Sequence, residues 1–230
     1  MIRDIIKKNA LAAEHLPDVF AAEEMFFGSK EIIMKIYDIS QAVLSSEVYP
    51  GDPAPRLDKI ADMSRGDTYN LSEFSMCAHN GTHIDAPRHF IEDGKTIGEI
   101  DLSRVIGACY VALPKGEING AEAQRILENA RKHTDAASRI LIKGKWEVTS
   151  EAATVFREGG VRLVGVELQS VGPLLCPMEV HKTLLGADVV LLEGLRLDEV
   201  AEGAYTLFAA PINLGVAEGA PCRAILIDYN

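Results

Sequence analysis

The sequence predicts an α/β or α+β domain built around one hydrophobic core, on three observations. Short aliphatic and β-branched runs recur along the chain, each of a length that suits a buried strand. Two segments between them combine helical periodicity with capping signals. Strand-like and helical stretches are interspersed, an order expected of packed helix and sheet layers. At 230 residues the chain suits one large domain better than two small ones.

Residues 2–16 place Ile2, Ile5, Ile6, Ala12, Ala13 and Leu16 at helical spacing, and Pro17 interrupts before a second helical stretch near 18–26. Residues 1–34 are therefore expected to form a helical N-terminal arm, with the main domain over 35–230. Lys35 to Ser40 has strand character and leads into the turn-rich Tyr49-Pro50-Gly51-Asp52-Pro53. Buried strands are expected over 105–113, 139–143, 161–167, 187–193 and 222–228. Asn119 can cap the first helix, with Glu122 three residues on and Ala123, Ile126, Leu127 and Ala130 as its apolar stripe. Thr149 or Ser150 can cap the second, which should stop at Gly159-Gly160. The sequence contains no linker and no internal repeat.

Composition narrows the function. With 47% hydrophobic and 25% charged residues the chain is an ordinary globular protein. A formal net charge of -11 repels phosphate backbones and anionic membranes, so nucleic-acid and membrane partners are not expected and a small-molecule substrate is. Cys77, Cys109, Cys176 and Cys222 are scattered without a Cys-x-x-Cys pair and read as reduced and mostly buried. Acidic residues are interspersed near the N-terminus with no apolar signal core, and no run approaches the ~18 apolar residues of a membrane span. A cytoplasmic location is expected.

Residues 79–89 read His-Asn-Gly-Thr-His-Ile-Asp-Ala-Pro-Arg-His and hold three of the chain's six histidines. Imidazole nitrogens with a carboxylate oxygen suit Zn²⁺ or another first-row divalent ion, and open coordination positions allow water to be activated near neutral pH. Gly81, Thr82 and Pro87 disfavour a helix here. On a strand, His79, Gly81, His83 and Asp85 share one face, with Gly81 leaving space between the imidazoles. Pro87 should end that strand and release His89 into a loop, better placed to move protons than to complete the ligand set.

Glu193 ends the apolar run Val189-Val190-Leu191-Leu192, where a buried carboxylate is costly unless paired or metal-bound. His181, twelve residues earlier, is expected on a short helix. Residue chemistry alone leaves both open between ligand and structural roles; with them, three imidazoles and two carboxylates would suffice for two ions. Glu167 reads as a carboxylate turned to solvent, Cys77 as a small buried hydrophobe, and Tyr49 as either surface packing or a stacking partner for a planar substrate. His15 and His133 are given no role.

The pattern His-x-Gly-Thr-His-x-Asp-x-Pro-x-His is matched at all seven fixed positions. It resembles that of the cyclase family of metal-dependent hydrolases, which includes bacterial kynurenine formamidase. The resemblance extends to Asp38-Ile39-Ser40, Tyr49-Pro50-Gly51-Asp52, Gly107, His181 with Glu193, and Gly219-Ala220-Pro221-Cys222-Arg223-Ala224. It implies a compact single-domain swivelling β/α/β fold, with a mixed sheet and flanking helices, in a homodimer or higher homo-oligomer. It implies His79, His83 and Asp85 on one metal, Asp85 and Glu193 bridging, and His181 on a second. It also implies His89 as proton donor and acceptor, and Tyr49 where formamidases place a substrate-contacting aromatic, usually Trp. Some members use one ion, often Zn²⁺ or Mn²⁺. Formamidases commonly read Gly-Val-Asp-Thr-Pro-Ser where this chain has Gly165-Val166-Glu167-Leu168-Gln169-Ser170, a departure expected at the substrate pocket.

The expected function is hydrolysis of a formamide-like or cyclic amide by metal-activated water. Two rivals remain. His83, Asp85 and His181 would also satisfy the facial triad of an Fe(II) oxygenase, and the chain could instead be a metal-binding member without catalysis. The first leaves His79, Gly81 and His89 without purpose, and the second does not need His89.

Overall fold

A computed structural model describes residues 34–173 and 177–229. The expected arm lies outside these residues apart from Met34, as does Cys176.

Four strands form the centre of the sheet: β5 (Ile106–Ala112), β6 (Arg139–Ile142), β7 (Leu163–Val166) and β8 (Val190–Glu193). They run parallel in that order. Helices α1 (Gly120–Ala130), α2 (Ser150–Glu158) and α3 (Met178–Leu185) connect them, as parallel pairing requires a crossover. Antiparallel strands extend both sides, and the full order is β1-β11-β9-β5-β6-β7-β8-β4-β10. Here β1 is Lys35–Asp38, β4 His83–Asp85, β9 Gly203–Phe208, β10 Gly219–Pro221 and β11 Ile225–Asp228. A separate pair, β2 (Arg56–Ala61) with β3 (Leu71–Ser75), stands outside this sheet. The mixed sheet with flanking helices agrees with expectation.

The central strands read as unbroken apolar runs because both their faces are buried. Ile140 and Ile142 pack on the helices with Val164, Val166 and Leu191. Their neighbours Leu141, Leu163, Val190 and Leu192 enter a second core. That core also holds Ile84 of β4 and Leu226 of β11, which lie towards opposite ends of the strand order, so the sheet curls around it. Each fully buried aliphatic side chain contributes about 1.5–3 kcal/mol.

The helix caps follow the sequence. Asn119 accepts from the Glu122 amide at 3.1 Å, and Thr149 accepts from the Ala152 amide at 3.3 Å. Gly160, at φ +78°, follows the end of α2 in a backbone region that favours glycine. The expected run over 222–228 is shorter: Pro221 ends β10, which lies at the sheet edge where a missing amide is harmless, and β11 starts only at Ile225. β2, β3 and β9 carried no strong apolar alternation and were not anticipated. No helix among the described residues is long and apolar enough to cross a membrane.

Candidate metal centre

Strand register assembles the centre. Ile84 points into the core enclosed by the sheet, so His83 and Asp85, its neighbours on β4, project to the helical side. β4 pairs antiparallel with β8, setting His83 opposite Glu193. Glu193 shares its face with Leu191, which packs on the helices. On that side α3 buries Val180, Leu184 and Leu185, and its fourth residue His181 turns towards the carboxylates. Nε2 of His181 is 3.8 Å from Asp85 Oδ2 and 3.4 Å from Glu193 Oε1.

His79 does not share this strand. The strand covers only His83–Asp85, and His79 sits in the preceding turn, which Gly81 closes at φ +70°. The one-face expectation over 79–85 is therefore corrected: a positive φ at Gly81 breaks the pleat. Gly81 does not open room between the imidazoles either, since a Cβ there would meet Val43 Cγ2 at 3.3 Å. His79 reaches the centre from the turn, with Nδ1 2.8 Å from Asp85 Oδ1. Thr82, on the opposite side, donates to Gly194 O at 2.7 Å and ties the turn to the end of β8. Pro87 ends the strand as expected, but Pro87–His89 forms a 3₁₀ turn rather than an open loop. There the His89 ring stacks on His79 with centroids 4.1 Å apart.

Two groups of candidate ligands result, His79/His83/Asp85 and Asp85/His181/Glu193, and within each the donor atoms lie within 4.8 Å of one another. Asp85 belongs to both. A carbonyl can only accept, so the contacts of His83 Nδ1 with Gly81 O (3.1 Å) and His181 Nδ1 with Pro177 O (2.8 Å) place protons on Nδ1. Both Nε2 atoms are thereby turned inward, the arrangement by which outer partners orient metal-binding imidazoles. His83 Nε2 and Asp85 Oδ2 are buried without a hydrogen-bond partner, and such atoms suit a divalent cation. His83 Nε2 is 3.4 Å from Asp85 Oδ1 and 3.5 Å from Glu193 Oε2, close enough for attraction but not aligned for a hydrogen bond. Five donors converge, two more than an iron facial triad uses.

Charge is balanced tightly. Burial opposes a charged His83 ring, but the Asp85 and Glu193 carboxylates outweigh it and push the pKa up to about 10. Burial also opposes charge on Asp85 and Glu193, yet the adjoining imidazoles hold both below the ordinary carboxylate range. Burial lowers the His89 pKa and keeps that ring neutral near pH 7. In the ion-free protein the His83 contribution to stability is full below its ordinary value of 6.5 and is lost as pH rises through about 10. An ion must displace this proton, so apparent affinity is expected to rise about tenfold per pH unit for each proton released, between about pH 6 and 9. Competition with a chelator across that range checks the slope.

Val171 and Phe90 were not singled out in the sequence, and Gly219 entered only through the resemblance, with no role. The Val171 amide donates to Glu193 Oε1 at 2.7 Å. Gly219 of β10 lies against His79: a Cβ there would sit 2.7 Å from His79 Cε1 and 3.0 Å from Ile84 O. Only a glycine lets this edge strand pass the ring, so Gly219→Ala should weaken metal binding about tenfold while the protein stays folded. Chelator competition beside a melting curve checks it. Phe90, next to His89, packs on His181 with centroids 4.4 Å apart. Tyr49, Asp52, Phe90, Gln169 and Ser170 join the histidines and Glu193 around a cavity of about 210 Å³.

Glu167 does not turn to solvent. Its Oε1 accepts from the Leu197 amide at 2.8 Å, and its Oε2 accepts from the Gly144 amide. It holds two loops at the strand ends and does not line the cavity. Glu167→Ala should cost about 1–3 kcal/mol, roughly 3–10 °C in Tm for a domain of this size, without changing metal content. Cys77 is half-buried, with Sγ 3.7 Å from Asp52 Oδ2. His133 is exposed, in line with its having no assigned role.

Known proteins are similar to this chain over most of its length. The cyclase family matches residues 37–173. Kynurenine formamidase from Erythrobacter litoralis is 32% identical over 210 residues, covering 84% of this chain and 93% of that protein. Kynurenine formamidase from Delftia acidovorans is 36% identical over 205 residues, covering 84% and 97%. A solved structure from Bacillus stearothermophilus, described as a predicted metal-dependent hydrolase, superposes with a TM-score of 0.69 at 30% identity, covering 85% of this chain and 99% of that one.

Proposed function

The chain belongs to the cyclase family of metal-dependent hydrolases, and from that premise we propose that it hydrolyses an N-formyl or cyclic amide of a small, planar molecule. The observation that carries this reading is the meeting of both ligand groups at Asp85, with His89 stacked beside them. His79, His83 and Asp85 would hold one ion, and Asp85, Glu193 and His181 a second. The mixed nitrogen and oxygen donors suit Zn²⁺, with Mn²⁺ the alternative. Such an ion supplies Lewis acidity, polarising a carbonyl oxygen and lowering the pKa of water to about 7.

The chain's own groups do the rest. Neutral His89 offers a ring lone pair to the attacking water and takes its proton as the new C–O bond forms. It returns that proton to the amide nitrogen as the C–N bond breaks, yielding an amine and a carboxylic acid. Tyr49 and Phe90 supply aromatic faces for a planar substrate.

The test is hydrolysis by the metal-loaded protein of N-formylkynurenine, isatin and other small amides and lactams. Release of amine and acid, abolished by chelation and restored by the ion, is expected. Oxygen consumption without hydrolysis would defeat the proposal. The exposed Leu57, Ile60, Leu71 and Phe74 on the β2–β3 pair support assembly as a homodimer or larger homo-oligomer, which sedimentation velocity checks.

A further inference from the structure

The cavity wall beside Glu193 carries polar groups that the hydrolytic step does not use. Nε2 and Oε1 of Gln169 are both buried without a hydrogen-bond partner among the described residues, and so is Oγ of Ser170, a residue 7% exposed. Buried polar atoms are rarely left this way without a reason. Both residues line the metal cavity, and both also line an adjoining cavity of about 370 Å³, with Tyr49 common to the two. Gln169 and Ser170 thus stand where a substrate reaching past the ligands would run.

Charge limits what that substrate carries. Away from the ligands the second cavity is lined by Glu47 and Glu147, and no Lys or Arg lines it among the described residues. Lys145 lies 3.7 Å from Glu47, both largely exposed, so this cation is already paired and screened. An anionic substituent lying in that second cavity would face carboxylate side chains and no lining Lys or Arg among the described residues. A carboxamide side chain offers one donor edge and one acceptor edge. It pairs with another amide-type group through two antiparallel hydrogen bonds. A carboxylate can only accept, so it would satisfy Nε2 and face the lone pairs of Oε1.

We propose that Gln169, with Ser170 beside it, determines specificity by binding an uncharged amide-type group, such as a carboxamide, ureido or lactam group, distal to the bond that is cleaved. The substrate class is then a small formamide or cyclic amide carrying a second neutral amide rather than a carboxylate. This deepens the amide-hydrolase reading and rests on it.

The test uses metal-loaded protein and three kinds of formanilide: unsubstituted, carboxamide-bearing and carboxylate-bearing, with ring positions varied. The wild type should favour the best carboxamide over its carboxylate counterpart by about tenfold or more in kcat/KM, carried mainly by KM, the equivalent of one or two ordinary hydrogen bonds. Gln169→Leu should abolish that ratio and Ser170→Ala should reduce it, whereas the isosteric Gln169→Glu, which still accepts from a carboxamide N–H and repels a carboxylate, should keep or widen it. The ratio is read again without turnover from the Kd values of the aminobenzamides and aminobenzoates. Equal or preferential use of the carboxylate by the wild type, or a preference that survives in folded Gln169→Leu, overturns the proposal. Failure of the wild type to cleave any formanilide, with the Kd ratio intact, overturns the hydrolase reading and leaves the recognition standing.

Discussion

Asp85→Asn should lose tight metal binding at both positions together. Asp85 is the side chain common to the two ligand groups, and it is fully buried. The substitution keeps the shape and removes the charge. Taking one partner from a buried charge cluster costs about 3–5 kcal/mol, or roughly 10²–10⁴-fold in affinity. Metal analysis after gel filtration should find a substoichiometric ion, and hydrolysis should fall at least in proportion. The variant should remain folded, since Ile84 keeps its place in the core and β4 keeps both its neighbours. Full metal content in Asp85→Asn would remove the carboxylate from the ligand set.

His89→Ala should separate binding from chemistry. His89 belongs to neither ligand group; it stacks on His79 from the 3₁₀ turn. Metal content should therefore stay at the wild-type level while kcat drops by ~10²–10⁴-fold, the usual worth of a positioned acid–base group. Metal analysis and steady-state kinetics on one preparation make the distinction. A variant that turns over normally would assign the proton transfers elsewhere.

Much of the scaffold was legible because its signals are local. Asn119 and Thr149 cap helices where their side chains can reach nearby amides. The central strands announced themselves by apolar runs that both cores require. The β2–β3 pair did not, because its residues are exposed and carry no buried face to impose alternation. Glu167 was misread for a related reason: its partners, the amides of Gly144 and Leu197, lie far away in the chain. Gly219 carried no chemical signal at all, since a glycine beside an imidazole matters only once the two strands have paired.

By itself the sequence determined the donor types, their density in 79–89, the proline that ends β4, and the short helix that bears His181. These follow from side-chain chemistry and nearest-neighbour backbone preference, which need no partner segment. The tertiary structure alone decided that His79 approaches from a turn, that Glu193 stands opposite His83, and that within the segment expected at the pocket Gln169 and Ser170 line the cavity while Glu167 does not. The reason is register. Strand periodicity tells which residues share a face but not which residue of a distant strand lies alongside. That choice was made by the two cores, which bury Ile84 and Leu192 on one side of the sheet and leave His83, Asp85 and Glu193 on the other.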